Sequence, residues 1–120
     1  MTKAEIFSFY LPYNVTICCT IFRFGDDYLL TGIKNKDTIV VNNEFDDKLE
    51  YYDLKLHPFE KFIEFEEIVD EMSQHQIDFV QSNDIGVSPI DFLPFNVIVK
   101  MLKNHIDVFN LIPKCEALEI

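Results

Sequence analysis

The spacing of apolar residues changes at Pro58, and this change constrains the fold more than any other feature of the chain. Before Pro58, β-branched and aromatic runs alternate with turn sequences, which is typical of strands. After Pro58, apolar residues recur at helical intervals. A strand-rich first half followed by a helical second half predicts the α+β class, with two helices packed on an antiparallel sheet.

Four strand segments are predicted in the first half of the chain. They are residues 15–24, 28–33, 38–41 and 49–56. The first two flank the turn sequence Gly25-Asp26-Asp27 and so form a hairpin, and residues 42–48 read as a polar loop. A last short strand at residues 118–120 is the fifth. We therefore expect a strongly bent antiparallel meander of four or five strands, which is open or barrel-like.

Two amphipathic helices are predicted after Pro58. The first has about four turns, with Phe62, Phe65 and Val69 on its apolar side, and the second begins near Pro94. Residues 76–87 are predicted as a loop with a brief strand at 77–80, and residues 4–13 fit either a helical turn or a strand. The expected core residues are Phe22, Phe24, Leu30, Ile33, Val41, Phe62, Val69, Phe95, Val99, Leu102 and Phe109.

Length and composition fit one domain over residues 1–120. Hydrophobic residues make up 48% of the chain and include twelve Phe, enough for a core without disulfides or metals. No apolar run reaches the length of a membrane span, and the first residues do not resemble a secretory signal. The three cysteines read as small buried hydrophobes. These features predict a cytoplasmic protein that makes no membrane contact and needs no cofactor.

The net negative charge of the chain comes from its middle segment. The formal net charge is −11, and the window from Glu44 to Asp91 accounts for all of it, with fourteen acidic residues against three lysines. No basic residue occurs between Lys61 and Lys100. Such a field attracts basic protein surfaces and repels nucleic acid phosphates. We therefore expect a protein partner with a basic surface and no direct binding of nucleic acid.

The first predicted helix carries acidic residues along its outer side. We define the acidic face by these five: Glu60, Glu64, Glu67, Asp70 and Glu71. Within it, Glu64, Glu67 and Glu71 stack like charges at intervals of three and four residues, which costs a few tenths of a kcal/mol per pair, on the order of 0.3. A merely solvated helix more often alternates its charges. The acidic face is therefore the predicted binding site.

No catalytic or metal site is predicted. The histidines and cysteines show none of the spacings of a preorganised metal site. His105 and Asp107 could form a ligand pair, but the favoured interpretation is that they cap a helix end and the following turn. Asp78 and Asp91 each precede an apolar pair and are the arguable acid–base candidates, although a capping role at a helix start also fits Asp91.

Four short phrases occur in order along the chain. They are Leu11-Pro12-Tyr13-Asn14, Leu30-Thr31-Gly32-Ile33, Leu54-Lys55-Leu56-His57-Pro58, and Leu93-Pro94-Phe95 with His105-Ile106-Asp107-Val108-Phe109-Asn110-Leu111-Ile112. In these phrases the chain resembles a group of small, uncharacterised acidic proteins of Bacteroidetes genomes, often encoded in phage or prophage regions. His57, Asn110 and the lack of Trp depart from the group, which more often has Arg, Gly and Trp there. The resemblance implies a phage or mobile-element setting in a bacterial cytoplasm and no assigned activity.

The leading hypothesis is a non-enzymatic protein–protein interaction module of a phage or mobile element, docking through the acidic face. In one form of it, the carboxylates mimic DNA phosphates and inhibit a basic host protein. An alternative is an oligomeric virion or assembly component, because the apolar segments 59–65 and 92–95 exceed what a small core needs. A further alternative is a small enzyme whose site the sequence does not reveal.

Overall fold

The computed structural model describes residues 1–21, 27–82 and 88–120. Its described strands form one six-stranded sheet. They are β1 Thr16–Cys19, β2 Asp27–Asn35, β3 Thr38–Val41, β4 Phe45–Lys48, β5 Tyr52–Leu56 and β6 Ala117–Glu119. Their order across the sheet is β4-β3-β2-β1-β5-β6, and every pair is antiparallel except β5 with β6. The predicted α+β class is confirmed, with six strands instead of four or five.

The first four strands form an antiparallel meander, but its fourth strand is β4 and not the predicted segment 49–56. The long strand β2 serves two partners: it pairs Leu29 with Thr16 of β1, and Leu30 with Val41 of β3. The β2–β3 register shifts between Leu30 and Gly32, a bulge that bends the sheet. Strand β5 leaves the meander and lies on the other side of β1. The described sheet is therefore open, with β4 and β6 as its outer strands, and the barrel-like form is wrong.

Strand β4 lies where the sequence predicted a loop over residues 42–48. Asn42 and Asn43 both have a positive φ, 54° and 57°, and the Glu44 amide donates to the Val41 carbonyl at 2.9 Å. These are the features of a tight type I′ turn, which returns the chain directly into a paired strand. The acidic residues that suggested a loop are tolerated because β4 is an edge strand, where charges discourage pairing with other chains.

The described residues include four α-helices. They are α1 Lys3–Tyr10, α2 Glu66–Glu71, α3 Gln74–Ser82 and α4 Phe95–Lys103. Short 3-10 helices occupy Leu11–Tyr13, Leu49–Tyr51, Phe59–Glu64 and Pro89–Asp91. The helix predicted to begin near Pro94 is confirmed as α4. The ambiguous segment 4–13 is helical because Thr2 and Glu5 form a reciprocal capping box at its start.

The single four-turn helix predicted after Pro58 is wrong. Residues Phe59–Glu64 form a 3-10 helix, Phe65 has extended backbone angles (φ −107°, ψ 104°), and α2 begins afresh at Glu66. The loop predicted over residues 76–87, with its brief strand, is also wrong as far as Ser82, because that segment belongs to α3.

The start of α3 carries a capping signature that the sequence already contained. The Ser73 hydroxyl accepts from the Gln76 amide at 3.2 Å, and the Gln76 side chain accepts from the Ser73 amide at 3.0 Å. This reciprocal pair satisfies two backbone groups at the helix start. After Ser88 the chain forms a single 3-10 turn, Pro89–Asp91. The Ser88 hydroxyl donates to the Phe109 carbonyl at 3.0 Å and makes no capping hydrogen bond to this turn.

The buried apolar side chains form one cluster between the sheet and the helices. Of the expected core residues, Leu30, Val41, Phe62, Leu102 and Phe109 are buried. Ile33 and Val69 pack against the cluster, Val99 is half-buried, and Phe22 and Phe24 lie outside the described residues.

Phe95 is the exception among the expected core residues, because 79% of its surface is exposed. Ile98 and Leu102, three and seven positions later on the same side of α4, are buried. The exposure of Phe95 therefore follows from its place as the first residue of the helix, and not from the side of the helix on which it lies.

Candidate functional site

The acidic face spans two elements instead of one helix. Glu60 and Glu64 lie on the 3-10 helix Phe59–Glu64, whereas Glu67, Asp70 and Glu71 lie on α2. The extended backbone at Phe65 separates the two groups. The regular stacking of like charges expected for a continuous helix is therefore interrupted between Glu64 and Glu67.

Glu67 is bound to α4 by three groups. One carboxylate oxygen accepts a hydrogen bond from the Asn104 side-chain amide, and the other lies 3.9 Å from Lys100 Nζ and 3.8 Å from Lys103 Nζ. The Asn104 hydrogen bond lowers the pKa of Glu67, and the two lysines act in the same direction. Glu67 is thus a negative group that the protein neutralises itself.

Glu71 also contacts α4, at the opposite end. Its Oε2 accepts from Asn96 Nδ2 at 2.8 Å. Because Glu67 meets the last turn of α4 and Glu71 the first, the two carboxylates hold α2 along α4. Two of the five residues of the acidic face therefore stabilise the fold as well as contributing charge.

The remaining residues of the acidic face are open to solvent. Glu64 pairs with Lys61 at 3.1 Å, and both side chains are more than half exposed, so the attraction between them is weak. Glu60 and Asp70 are exposed, and no lysine of the described ranges lies within 4 Å of either carboxylate. Glu66, in the first turn of α2, is exposed as well. It is not one of the five residues that define the acidic face.

The buried carboxylate of the described structure is Asp107, which is 1% exposed. Its Oδ1 accepts from the amides of Phe109 at 3.3 Å and Leu111 at 2.9 Å, and its Oδ2 accepts from the Ile112 amide at 2.8 Å. Three backbone donors satisfy the charge, which fits a structural role. This arrangement agrees with the predicted cap of the turn after α4.

His105 closes the end of α4. Its φ is +57°, its amide donates to the Leu102 carbonyl at 3.0 Å, and the Ile106 amide donates to the Met101 carbonyl at 2.9 Å. This pattern is a Schellman motif with His in the left-handed position. His105 Nε2 also lies 2.7 Å from the Tyr13 carbonyl oxygen. The residue therefore connects α4 to the segment after α1.

The two acid–base candidates lie at the surface: Asp78 and Asp91 are both exposed. Two clefts formed by described residues, of about 480 and 430 Å³, are lined by neither residue and by no histidine. Within the described ranges, no three His, Cys, Asp or Glu side chains are grouped to hold a metal ion.

The longest α-helices of the described residues, α3 and α4, have nine residues each, and none can span a lipid bilayer.

Comparisons with protein-family models, with curated proteins and with solved structures found no match to the chain. The site is therefore interpreted from its own chemistry.

Proposed function

We propose that the chain is a non-enzymatic protein–protein interaction module of a phage or mobile element, acting in the bacterial cytoplasm or as part of a virion. It docks through the acidic face on a basic surface of its partner. The observation that carries the proposal is the set of exposed carboxylates at Glu60, Glu64 and Asp70. Among the described residues, a lysine lies within 4 Å of Glu64 alone of these three, and that ion pair is itself exposed. A basic partner supplies further counter-charges.

Mimicry of DNA phosphates is one form of this function. Carboxylates spread over two short helices present separated negative charges to solvent, which a nucleic-acid-binding protein could accept in place of phosphates. The proposal does not depend on this form. Any partner with a lysine- or arginine-rich surface meets the same electrostatic requirement.

The test is charge reversal with a matched control. In the first variant Glu60, Glu64 and Asp70 are changed to Lys. In the control variant Glu44, Glu50 and Glu116, which are exposed elsewhere, are changed to Lys. Both variants alter the net charge equally. Glu67 and Glu71 are left unchanged because they hold α2 on α4.

Each variant is immobilised and used to capture proteins from a host lysate at ~0.15 M salt, followed by mass spectrometry. We expect the wild type and the control variant to capture the same basic protein, and the first variant to lose it. Equal capture by all three proteins would overturn docking through the acidic face. Circular dichroism verifies that both variants are folded.

An oligomeric assembly component is the second candidate. It is favoured by large apolar side chains at the surface, among them Phe95, Phe79 and Ile63. Sedimentation equilibrium distinguishes it from the first candidate, because an assembly component self-associates without any partner. A monomer at concentrations up to about 100 μM would count against it.

A further inference from the structure

An aromatic cluster is exposed beside α2, at the junction of α3, the 3-10 helix Pro89–Asp91 and α4. Phe95 is 79% exposed and Phe79 is 48% exposed. Phe92 is half-buried, and its ring centroid lies 6.1 Å from that of Phe79 at an angle of 66°. An exposed phenylalanine at a helix start contributes little to folding. Phe95 follows Phe92 by three residues, across the start of α4. Exposed phenylalanines grouped in this way are typical of an interaction surface.

Three carboxylates of the described residues lie next to these phenylalanines along the chain or at the start of α4. Asp78 immediately precedes Phe79, and Asp91 immediately precedes Phe92. Glu71 is brought to the start of α4 by its hydrogen bond with Asn96, the residue after Phe95. All three carboxylates belong to exposed residues. The nearest lysine along α4, Lys100, lies beside Glu67.

This combination selects the kind of partner. A two-fold contact between copies of the chain would place these carboxylates opposite one another, which is unfavourable. Anionic lipids and nucleic acids would be repelled in the same way. A favourable partner must carry apolar side chains for the phenylalanines and basic side chains for the carboxylates.

The place of the cluster also selects the partner's conformation. A partner in extended conformation would pair with an outer strand of the sheet, β4 or β6. The cluster lies on helical segments and not beside these strands, so a helical partner fits it better. An amphipathic helix presents an apolar stripe flanked by charged residues, which matches an aromatic patch with an acidic rim.

We propose that Phe79, Phe92 and Phe95, rimmed by Glu71, Asp78 and Asp91, bind an amphipathic basic helix of a partner protein. This inference rests on the proposed function, and it adds a contact that salt does not screen. The carboxylates steer the helix to the surface and the phenylalanines anchor it.

The probe is a synthetic peptide of ~18 residues with leucine at helical spacing and lysine elsewhere, labelled for fluorescence anisotropy. A second peptide has the same composition with the leucines scattered. The protein variants are Phe95→Ser and, as a matched control, Phe45→Ser, which removes a phenylalanine that is 41% exposed on the edge strand β4. Titrations are made at ~0.15 M and ~0.5 M salt.

We expect the helical peptide to bind more tightly than the scattered one, and Phe95→Ser to raise its Kd about tenfold at both salt concentrations, with Phe45→Ser close to wild type. Equal effects of the two variants, or equal binding of the two peptides, would overturn the inference. So would a wild-type dimer that Phe95→Ser dissociates, because a second copy would then cover the cluster.

The proposed function fails separately from this inference. If the variant with Lys at positions 60, 64 and 70 captures the basic host protein normally while Phe95→Ser weakens peptide binding, the results support the aromatic cluster as a binding site and contradict docking through the acidic face. If that variant loses the host protein while Phe95→Ser binds the peptide normally, the results support the acidic face and contradict the aromatic cluster as the anchor.

Discussion

At the scale of single residues, the hydroxyl of Tyr10 connects α1 with the segment after α4. The Tyr10 hydroxyl donates to the Ile106 carbonyl at 2.7 Å and accepts from the Val108 amide at 3.1 Å, and Asp107 between them is satisfied by backbone amides. The cap at Asp107 could be predicted because Asp favours such turns. The role of Tyr10 could not, since its partners lie 96 and 98 positions along the chain.

Tyr10→Phe removes only the hydroxyl and leaves two buried backbone groups without their partner. We expect it to lower the free energy of unfolding by about 2 kcal/mol. The control is Tyr51→Phe, at a half-buried tyrosine on the 3-10 helix Leu49–Tyr51, with an expected change below about 0.5 kcal/mol. Urea titration followed by circular dichroism measures both, and similar values for the two variants would contradict this role of Tyr10.

The same tyrosine makes stability depend on alkaline pH. Burial raises the pKa of Tyr10 above its usual value of 10.0. The unfolded state therefore releases a proton above pH 10 that the folded state retains, so stability falls as the pH rises through that value. We expect this residue to cost about 1 kcal/mol between pH 10 and pH 11, because the unfolded phenol is only half ionised at pH 10. Tyr10→Phe should show a correspondingly shallower loss in urea titrations over the same range, and an unchanged slope would exclude the effect.

At the scale of elements, turn chemistry decides where prediction succeeded. Asn42-Asn43 is predicted as part of a loop, but two consecutive residues with positive φ turn the chain tightly, and Val41 pairs with Phe45 across residues 42–44. The prediction of one long helix after Pro58 was wrong because the apolar spacing fits two arrangements equally well. One is a continuous helix, and the other is a 3-10 helix, a break at Phe65 and a separate α-helix, which is the arrangement observed. α4 succeeded because its apolar spacing is strong and Pro94 marks its start.

Position 43 tests the hairpin turn. The Asn43 amide donates to Thr31 Oγ1 at 2.8 Å, and any non-proline residue keeps that bond. Asn43→Gly should raise the free energy of unfolding by about 0.5 kcal/mol because glycine adopts positive φ without strain. Asn43→Ala should lower it by about 1 kcal/mol. Thermal unfolding ranks the stabilities of the wild type and the two variants. Equal stability of Asn43→Ala and Asn43→Gly would contradict a left-handed backbone conformation at this position.

At the scale of the whole molecule, charge is distributed differently in space than along the chain. The sequence places no basic residue between Lys61 and Lys100, yet folding brings Lys100 and Lys103 beside Glu67. This neutralisation could not be predicted because it depends on how α4 packs against α2. The strand-then-helix order did predict the fold class, whereas the place of β5 beside β1 is a long-range pairing that local patterns do not encode.

Glu67 and Glu71 are bound to α4, so three residues of the acidic face remain open to solvent: Glu60, Glu64 and Asp70. Exposed phenylalanines lie at the neighbouring junction of helices. In the proposed function, the charge over these helices attracts the partner and the aromatic rings contribute affinity. Asp46 is an exposed acid on the edge strand β4, where charge discourages pairing with other chains.

The most direct measurement compares capture of a basic host protein by the variant with Lys at positions 60, 64 and 70 and by the control variant with Lys at positions 44, 50 and 116. Both carry the same net charge, so a difference between them reports where the charge lies. We expect the control to retain the wild-type amount and the first variant to lose at least nine-tenths, roughly 1.4 kcal/mol. Equal retention by the two variants would contradict a dedicated docking face.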